Sequence, residues 1–243
     1  MKLHYCTVWS CLLAIAICIA GCQQRSPDTN ANGGDPSEHT ETDSTTTAET
    51  QDKPTESAMG AMAKMKFPAP KDMKFKDQID SNAEAPKDLS ELTFVGKDGN
   101  PINLADYLNK KNVLLVFTEG FNGMLCPFCK TQTSRLVANY SEFEKRNCEI
   151  IVVYPGPADH LDEFIEAALK TEKAQVDKVP FPIALDKEFQ ATDYFDIHSM
   201  HAHPSTYLID KQGGIQFAYV GKDMTADRPS VKAILNKLDG IEK

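Results

Sequence analysis

Val113-Leu114-Leu115-Val116-Phe117, followed after a short loop by Met124-Leu125-Cys126-Pro127-Phe128-Cys129-Lys130, is the stretch that decides the fold. The first run is an unbroken apolar segment of strand length. The residues after Cys129, from Lys130 to about Lys145, carry Leu136, Tyr140 and Phe143 at helical spacing. A strand that ends in a loop and delivers a cysteine to a helix N-terminus makes a reactive thiol. Unpaired backbone N–H groups and the positive end of the helix dipole favour thiolate there. Pro127 suits a first helical turn, where its missing N–H costs nothing. Cys129 comes round to the same side of that turn, within disulfide reach. A structural zinc half-site is the alternative. It wants two further ligands in similar spacing, and Cys148 has no cysteine or histidine nearby.

Working outward, Leu92-Thr93-Phe94-Val95 predicts a strand, Lys97-Asp98-Gly99-Asn100 a turn, and Asn103 a cap for a short helix over Leu104–Leu108. Glu149–Tyr154 predicts a second buried strand, and a helix is expected from about Asp159 to Lys173. A short strand at Pro182–Leu185 and a short helix around Phe189–Phe195 follow. Ser205–Ile209 and Ile215–Val220 then form a hairpin about Asp210-Lys211-Gln212-Gly213-Gly214, and Ser230–Leu238 a last helix. Alternating strands and helices closed by an antiparallel hairpin give an α/β fold, a mixed central sheet flanked by helices.

The chain divides into three parts. Residues 1–21 read as an export signal: a short polar start, a nearly continuous apolar run from Tyr5 to Ala20, then small residues. The run is shorter than the ~20 residues that a membrane span needs. Ile19-Ala20-Gly21-Cys22 looks like a bacterial lipoprotein signal, in which Cys22 becomes the lipidated N-terminus. That predicts an exported protein anchored to a membrane and facing the periplasm or cell exterior. Residues 22–86 are expected to be a tether. Gln23–Ser57 is acidic and free of aromatic residues, and Met59–Phe75 interleaves methionine with lysine and is broken by the helix breakers Pro68 and Pro70. Residues 87–243 are left for one folded domain. A formal net charge of −9 with no basic stripe argues against a nucleic-acid partner.

With these pieces in place, the chain resembles the thioredoxin-like superfamily, specifically its redoxin branch of AhpC/TSA peroxiredoxins and membrane-tethered thiol–disulfide oxidoreductases. The resemblance runs roughly from Ala85 to Gly240. It rests on the strand followed by Cys126-Pro127-Phe128-Cys129, on the Phe94–Leu104 lead-in, and on Pro204-Ser205-Thr206-Tyr207-Leu208-Ile209-Asp210. It implies that Cys126 attacks, that Cys129 resolves, and that Pro204 faces them in the cis form. Two departures from peroxiredoxins weigh toward disulfide exchange. Gly123 stands where they place Thr or Ser, and histidines stand where they keep an arginine near the second signature. Of Arg25, Arg135, Arg146 and Arg228, only Arg135 lies on the active-site helix.

The resulting expectation is a thiol–disulfide oxidoreductase acting on a redox partner protein or disulfide substrate. A thiol peroxidase acting on hydroperoxides is the enzymatic alternative. Neither requires a cofactor. His198, Met200, His201 and His203 precede Pro204 and are expected beside the cysteines. This motivates a third reading, a Cu(I)-binding or delivery module that uses Cys126, Cys129 and His203. Cys148 reads as a core thiol. Glu119 reads as a loop acid that could shuttle protons to Cys129.

Overall fold

A computed structural model describes residues 66–90, 92–171 and 176–241. The export signal, Cys22 and the acidic stretch that follows lie outside the described residues. The sheet comprises β1 (Thr93–Gly96), β2 (Pro101–Asn103), β3 (Asn112–Phe117), β4 (Cys148–Pro155), β5 (Ile183–Asp186), β6 (Ser205–Ile209) and β7 (Ile215–Val220). The helices are α1 (Pro127–Ala138), α2 (Tyr140–Glu144), α3 (Leu161–Thr171), α4 (Gln190–Tyr194) and α5 (Val231–Ile241). Sheet order is β2-β1-β5-β4-β3-β6-β7. β3, β4 and β5 run parallel, and the outer pairings are antiparallel. This is the expected mixed α/β sheet of thioredoxin-like type.

Every residue of β3 is buried because both faces of the sheet are covered. Side chains alternate across a strand. Leu114 and Val116 therefore join Leu136, Phe164 and Ile234 of α1, α3 and α5. Val113, Leu115 and Phe117 join Phe94, Ala191 and Tyr207 on the other face. The register Phe117↔Ser205 and Ser205↔Val220 brings the end of β3, the start of β6 and the end of β7 side by side. The loops leaving these ends meet at the N-terminus of α1.

Two expectations are corrected. Asn103 does not cap the short helix at Leu104–Asp106, and its amide instead donates to Asp106. The folded chain also begins well before residue 87. Met73 and Phe75 are buried in the core, while Lys74 and Lys76 face outward. Phe67 meets Phe128 edge-on. Lys76 bonds through its backbone to Arg228 and Ser230, and Asn82 does the same to Ala218. The prolines do stop a helix, but an extended segment can bury alternate side chains without one. This strap lies against β7 and α1. Arg135 serves it, donating to the Met73 and Pro70 carbonyls and lying over the Phe75 ring, so this arginine belongs to the strap.

Candidate active site

β3 must turn sharply after Phe117 to feed α1, and glycine makes the turn possible. Gly120 has φ +75°, and a Cβ there would lie 2.3 Å from the Pro155 carbonyl oxygen. Gly123 is also left-handed, and a short bridge between Phe121 and Leu125 closes the loop. Cys126 is the N-cap of α1, its sulfur accepting the Cys129 N–H at 3.2 Å. Both cysteines are free and buried, 2% and 1% exposed. Cys148 is buried in the core, as expected, its Sγ 3.6 Å from the Glu149 carbonyl oxygen.

The residue that the sequence reading passed over is Arg228, which is 1% exposed. Its Nη1 lies 3.3 Å from Cys129 Sγ and its Nη2 3.6 Å from Cys126 Sγ. Gln132 Oε1 at 3.1 Å and the Thr225 carbonyl at 3.0 Å accept its remaining bonds. The expected lack of an arginine at the cysteines is thus corrected. The loop after β7 supplies one, and Gly221 lets that loop return. A Cβ on Gly221 would stand 2.1 Å from the Asp227 carbonyl oxygen. Asp227 is held by Tyr219, at 2.6 Å, and by Lys76.

Glu119 is not a solvated loop acid either, being 2% exposed. Its N–H points at Cys129 Sγ at 3.5 Å, and its carboxylate accepts the Met224 N–H at 2.9 Å. A carboxylate oxygen and both sulfurs lie within 4.8 Å of one another. Burial and the nearby Cys129 charge push Glu119 up to about 7. Burial also opposes a charge on Cys129. The Cys126 thiol, the guanidinium and the Glu119 N–H outweigh it and draw Cys129 down to about 6. Burial, together with the hydrogen bond given to Cys129, holds Cys126 well above the ordinary thiol range. The resting charge therefore falls on Cys129 rather than on the helix-capping Cys126, because Cys129 collects the closer guanidinium nitrogen and two further donors. The pair shares one proton.

The histidines do not gather on the sulfurs. His198 pairs with Asp193 at 2.6 Å and stacks on Phe189, and Met200 is exposed. His203 turns to Asp223 at 3.0 Å. Only His201 approaches the centre, 3.6 Å from Glu119. Among the described residues, the cluster that includes both cysteines is completed by Glu119 and not by His203. The Cu(I) triad of Cys126, Cys129 and His203 is therefore not assembled. Pro204 is buried just before β6, and its carbonyl accepts the Gly221 N–H at 2.9 Å.

A buried dithiol at a strand-to-helix turn, neutralised by one guanidinium in a thioredoxin-like sheet, is a thiol-redox centre, and the class it defines is the thiol-dependent oxidoreductases. Residues 82–218, more than half of the chain, match the AhpC/TSA family, and the chain belongs to that family. Arg228 lies beyond the end of the match. A 1-Cys peroxiredoxin of Dictyostelium discoideum is 32% identical over 69 residues, 28% of this chain and 27% of that relative. The matched stretch thus spans about a quarter of the relative's length. Three solved structures share the fold. Peroxiredoxin 6 of Arenicola marina, in a cysteine-to-serine mutant, is 16% identical with a TM-score of 0.55, covering 66% of this chain and 74% of that one. Peroxidoxin BcpB of Mycobacterium tuberculosis is 16% identical at 0.54, covering 67% and 100%. The mitochondrial 2-Cys peroxiredoxin of Plasmodium falciparum is 18% identical at 0.52, covering 68% and 94%.

Proposed function

We propose that the protein is a thiol-dependent peroxidase that reduces hydroperoxides. The observation that carries this reading is the contact of Arg228 with both sulfurs in a site closed to bulky substrates. A protein disulfide needs an exposed sulfur, whereas a peroxide needs only a small opening and a positive group beside the thiolate. Membership of the AhpC/TSA family supports the same choice, which reverses the order expected from the sequence.

Cys126 is assigned the attack from the likeness of Cys126-Pro127 to the family's active-site turn. One guanidinium touches both sulfurs, so moving the shared proton to Cys129 charges Cys126 without rearranging the site. The Cys126 thiolate attacks a peroxide oxygen. An S–O bond forms as the O–O bond breaks, and the departing alkoxide or hydroxide takes up a proton. Cys126 is then a sulfenic acid. Cys129 sulfur displaces water from it and forms the disulfide. An external dithiol returns both cysteines to thiols and is itself oxidised.

Stopped-flow oxidation by hydrogen peroxide, followed by trapping of sulfenic acid, tests the reading. Reduced protein should react orders of magnitude faster than free cysteine, and the trapped sulfenic acid should sit on Cys126 in the Cys129→Ser variant. A rate no faster than free cysteine, alongside turnover in an insulin-reduction assay lost with Cys126→Ser, would favour disulfide exchange instead. The close spacing of the two sulfurs suits that second reading too.

We also propose that the chain is exported and lipidated at Cys22, on the strength of the apolar run and the small residues that precede it. Radiolabelled palmitate should enter the full-length protein and be lost in Cys22→Ala. Label that persists in the variant would remove the proposal.

A further inference from the structure

Beside the dithiol, on the side of the loops that lead into β6 and out of β7, stands a second cluster that the redox chemistry does not use. His201 Nε2 lies 3.6 Å from Glu119 Oε1 and 3.6 Å from Asp223 Oδ2. Both separations exceed the ~2.7–3.2 Å of an N–H···O hydrogen bond, so the imidazole sits between two carboxylates and bonds to neither. The other ring nitrogen, Nδ1, is buried and has no hydrogen-bond partner among the described residues, and the same holds for Glu119 Oε2. One ligand atom from each of Glu119, His201 and Asp223 falls within 4.8 Å of the other two.

We infer that Glu119, His201 and Asp223 form a binding site for a divalent cation of the zinc class. Bonds of about 2.0–2.2 Å from zinc to imidazole nitrogen and carboxylate oxygen, arranged tetrahedrally, put ligand atoms roughly 3.3–3.6 Å apart. The two measured edges fit that spacing without a rotamer change. One imidazole with two carboxylates is a borderline donor set. It is too nitrogen-rich for calcium or magnesium and too hard for Cu(I). The three protein ligands leave the fourth position to water. One outer contact already orients the set, the Met224 N–H bonding Glu119 Oε1, while Asp223 Oδ1, 3.0 Å from His203 Nδ1, makes no hydrogen bond among the described residues. Asp223, about one-third exposed at its side chain, provides an entry path. A bound cation would tie together the loops after β3, before β6 and after β7, within a carboxylate's width of the two sulfurs.

The test uses full-length reduced protein and Zn²⁺ titrated against a chromophoric chelator, with Co²⁺ as a spectroscopic probe. Thiolates also bind zinc, so the decisive background is the Cys126→Ser/Cys129→Ser variant. That variant should keep the site, and its cobalt spectrum should show no thiolate charge-transfer band from this site. On the same background, His201→Ala, which removes the imidazole ligand, should weaken zinc binding by at least the about 10–100-fold that loss of a supporting contact brings. Asp223→Asn, a change at a partly exposed side chain, should also weaken it and gives a check that does not disturb the core. The inference is overturned if the double-serine variant binds no zinc, or if His201→Ala and Asp223→Asn bind as tightly as their parent.

Discussion

Replacing Arg228 with methionine keeps most of the volume of the buried side chain and removes its charge. In the native site the guanidinium is the only cation touching the sulfurs among the described residues, at 3.3 and 3.6 Å. A charge of opposite sign at such range shifts a titration by about 1–3 pH, equivalent to ~1.4–4 kcal/mol. The first thiol proton of the pair, leaving at about 6 in the native protein, should therefore leave near 8 in Arg228→Met, taking the middle of that range. At neutral pH the thiolate fraction falls from roughly nine-tenths to one-tenth, and alkylation by iodoacetamide slows about tenfold. Ultraviolet thiolate absorbance and alkylation rate, both measured against pH in chelator-treated protein, report the shift directly. The fold should survive, because the buried thiolate protonates rather than remain unpaired. The sign for stability follows. A folded-state titration lowered to about 6 contributes stability that is full above the titration of the unfolded thiol and is lost as pH falls through 6. The pH-dependent part of the stability gap between native protein and Arg228→Met should accordingly be widest in alkali and vanish below pH 6. Superimposable titration and alkylation curves would refute the assignment of Arg228 as the counter-charge.

Three further outcomes are expected. Gly221→Ala forces a Cβ against the Asp227 carbonyl; it should cost about 1–3 kcal/mol in denaturant melts and move the thiol titration in the same direction as Arg228→Met, whereas an unaltered titration would mean that the loop carries Arg228 independently of Gly221. Met73→Ala, at a core position of the strap, should cost about 2–5 kcal/mol, and a change within error would show that the strap is only loosely laid on. Asp186→Ala removes the acceptor of the Ala191 and Thr192 N–H groups at the start of α4 and should cost about 0.5–2 kcal/mol while leaving peroxide kinetics intact.

The strand-turn-helix frame was legible because local chemistry writes it. From Val113 to Phe117 β3 is apolar since it is covered on both faces, and Pro127 and the two cysteines mark the start of α1. What the sequence hid was produced by distance along the chain. Arg228 reaches the sulfurs only because β7 lies next to β6 and Gly221 lets the following loop turn back, and no inventory of arginines reveals that. Glu119 looked like a loop acid because burial at a strand end depends on which loops close over it. The strap did leave a signal, the alternation Met73-Lys74-Phe75-Lys76. It was outweighed by Pro68 and Pro70, which forbid a helix and say nothing against an extended, half-buried segment. The histidines lie on the expected loop, but it is Asp193, five residues before His198, and Asp223, from the loop after β7, that engage them rather than the sulfurs.

The pairing of the strap with the far end of the chain bears on how the enzyme comes into being. Asp77 bonds Ser230 across 153 residues, and Lys76 brackets Arg228 through the backbone, so the guanidinium is seated by one of the longest loop closures in the domain. Closing such long loops is entropically costly and slows folding. Cys129 precedes Arg228 by 99 residues, roughly 5–20 s of ribosomal synthesis. Until Arg228 is made and seated, the dithiol lacks the guanidinium that helps to draw Cys129 down to about 6. The acidity of the pair thus depends on the chain beyond β7, and a chain ending before Arg228 carries the cysteines without their counter-charge.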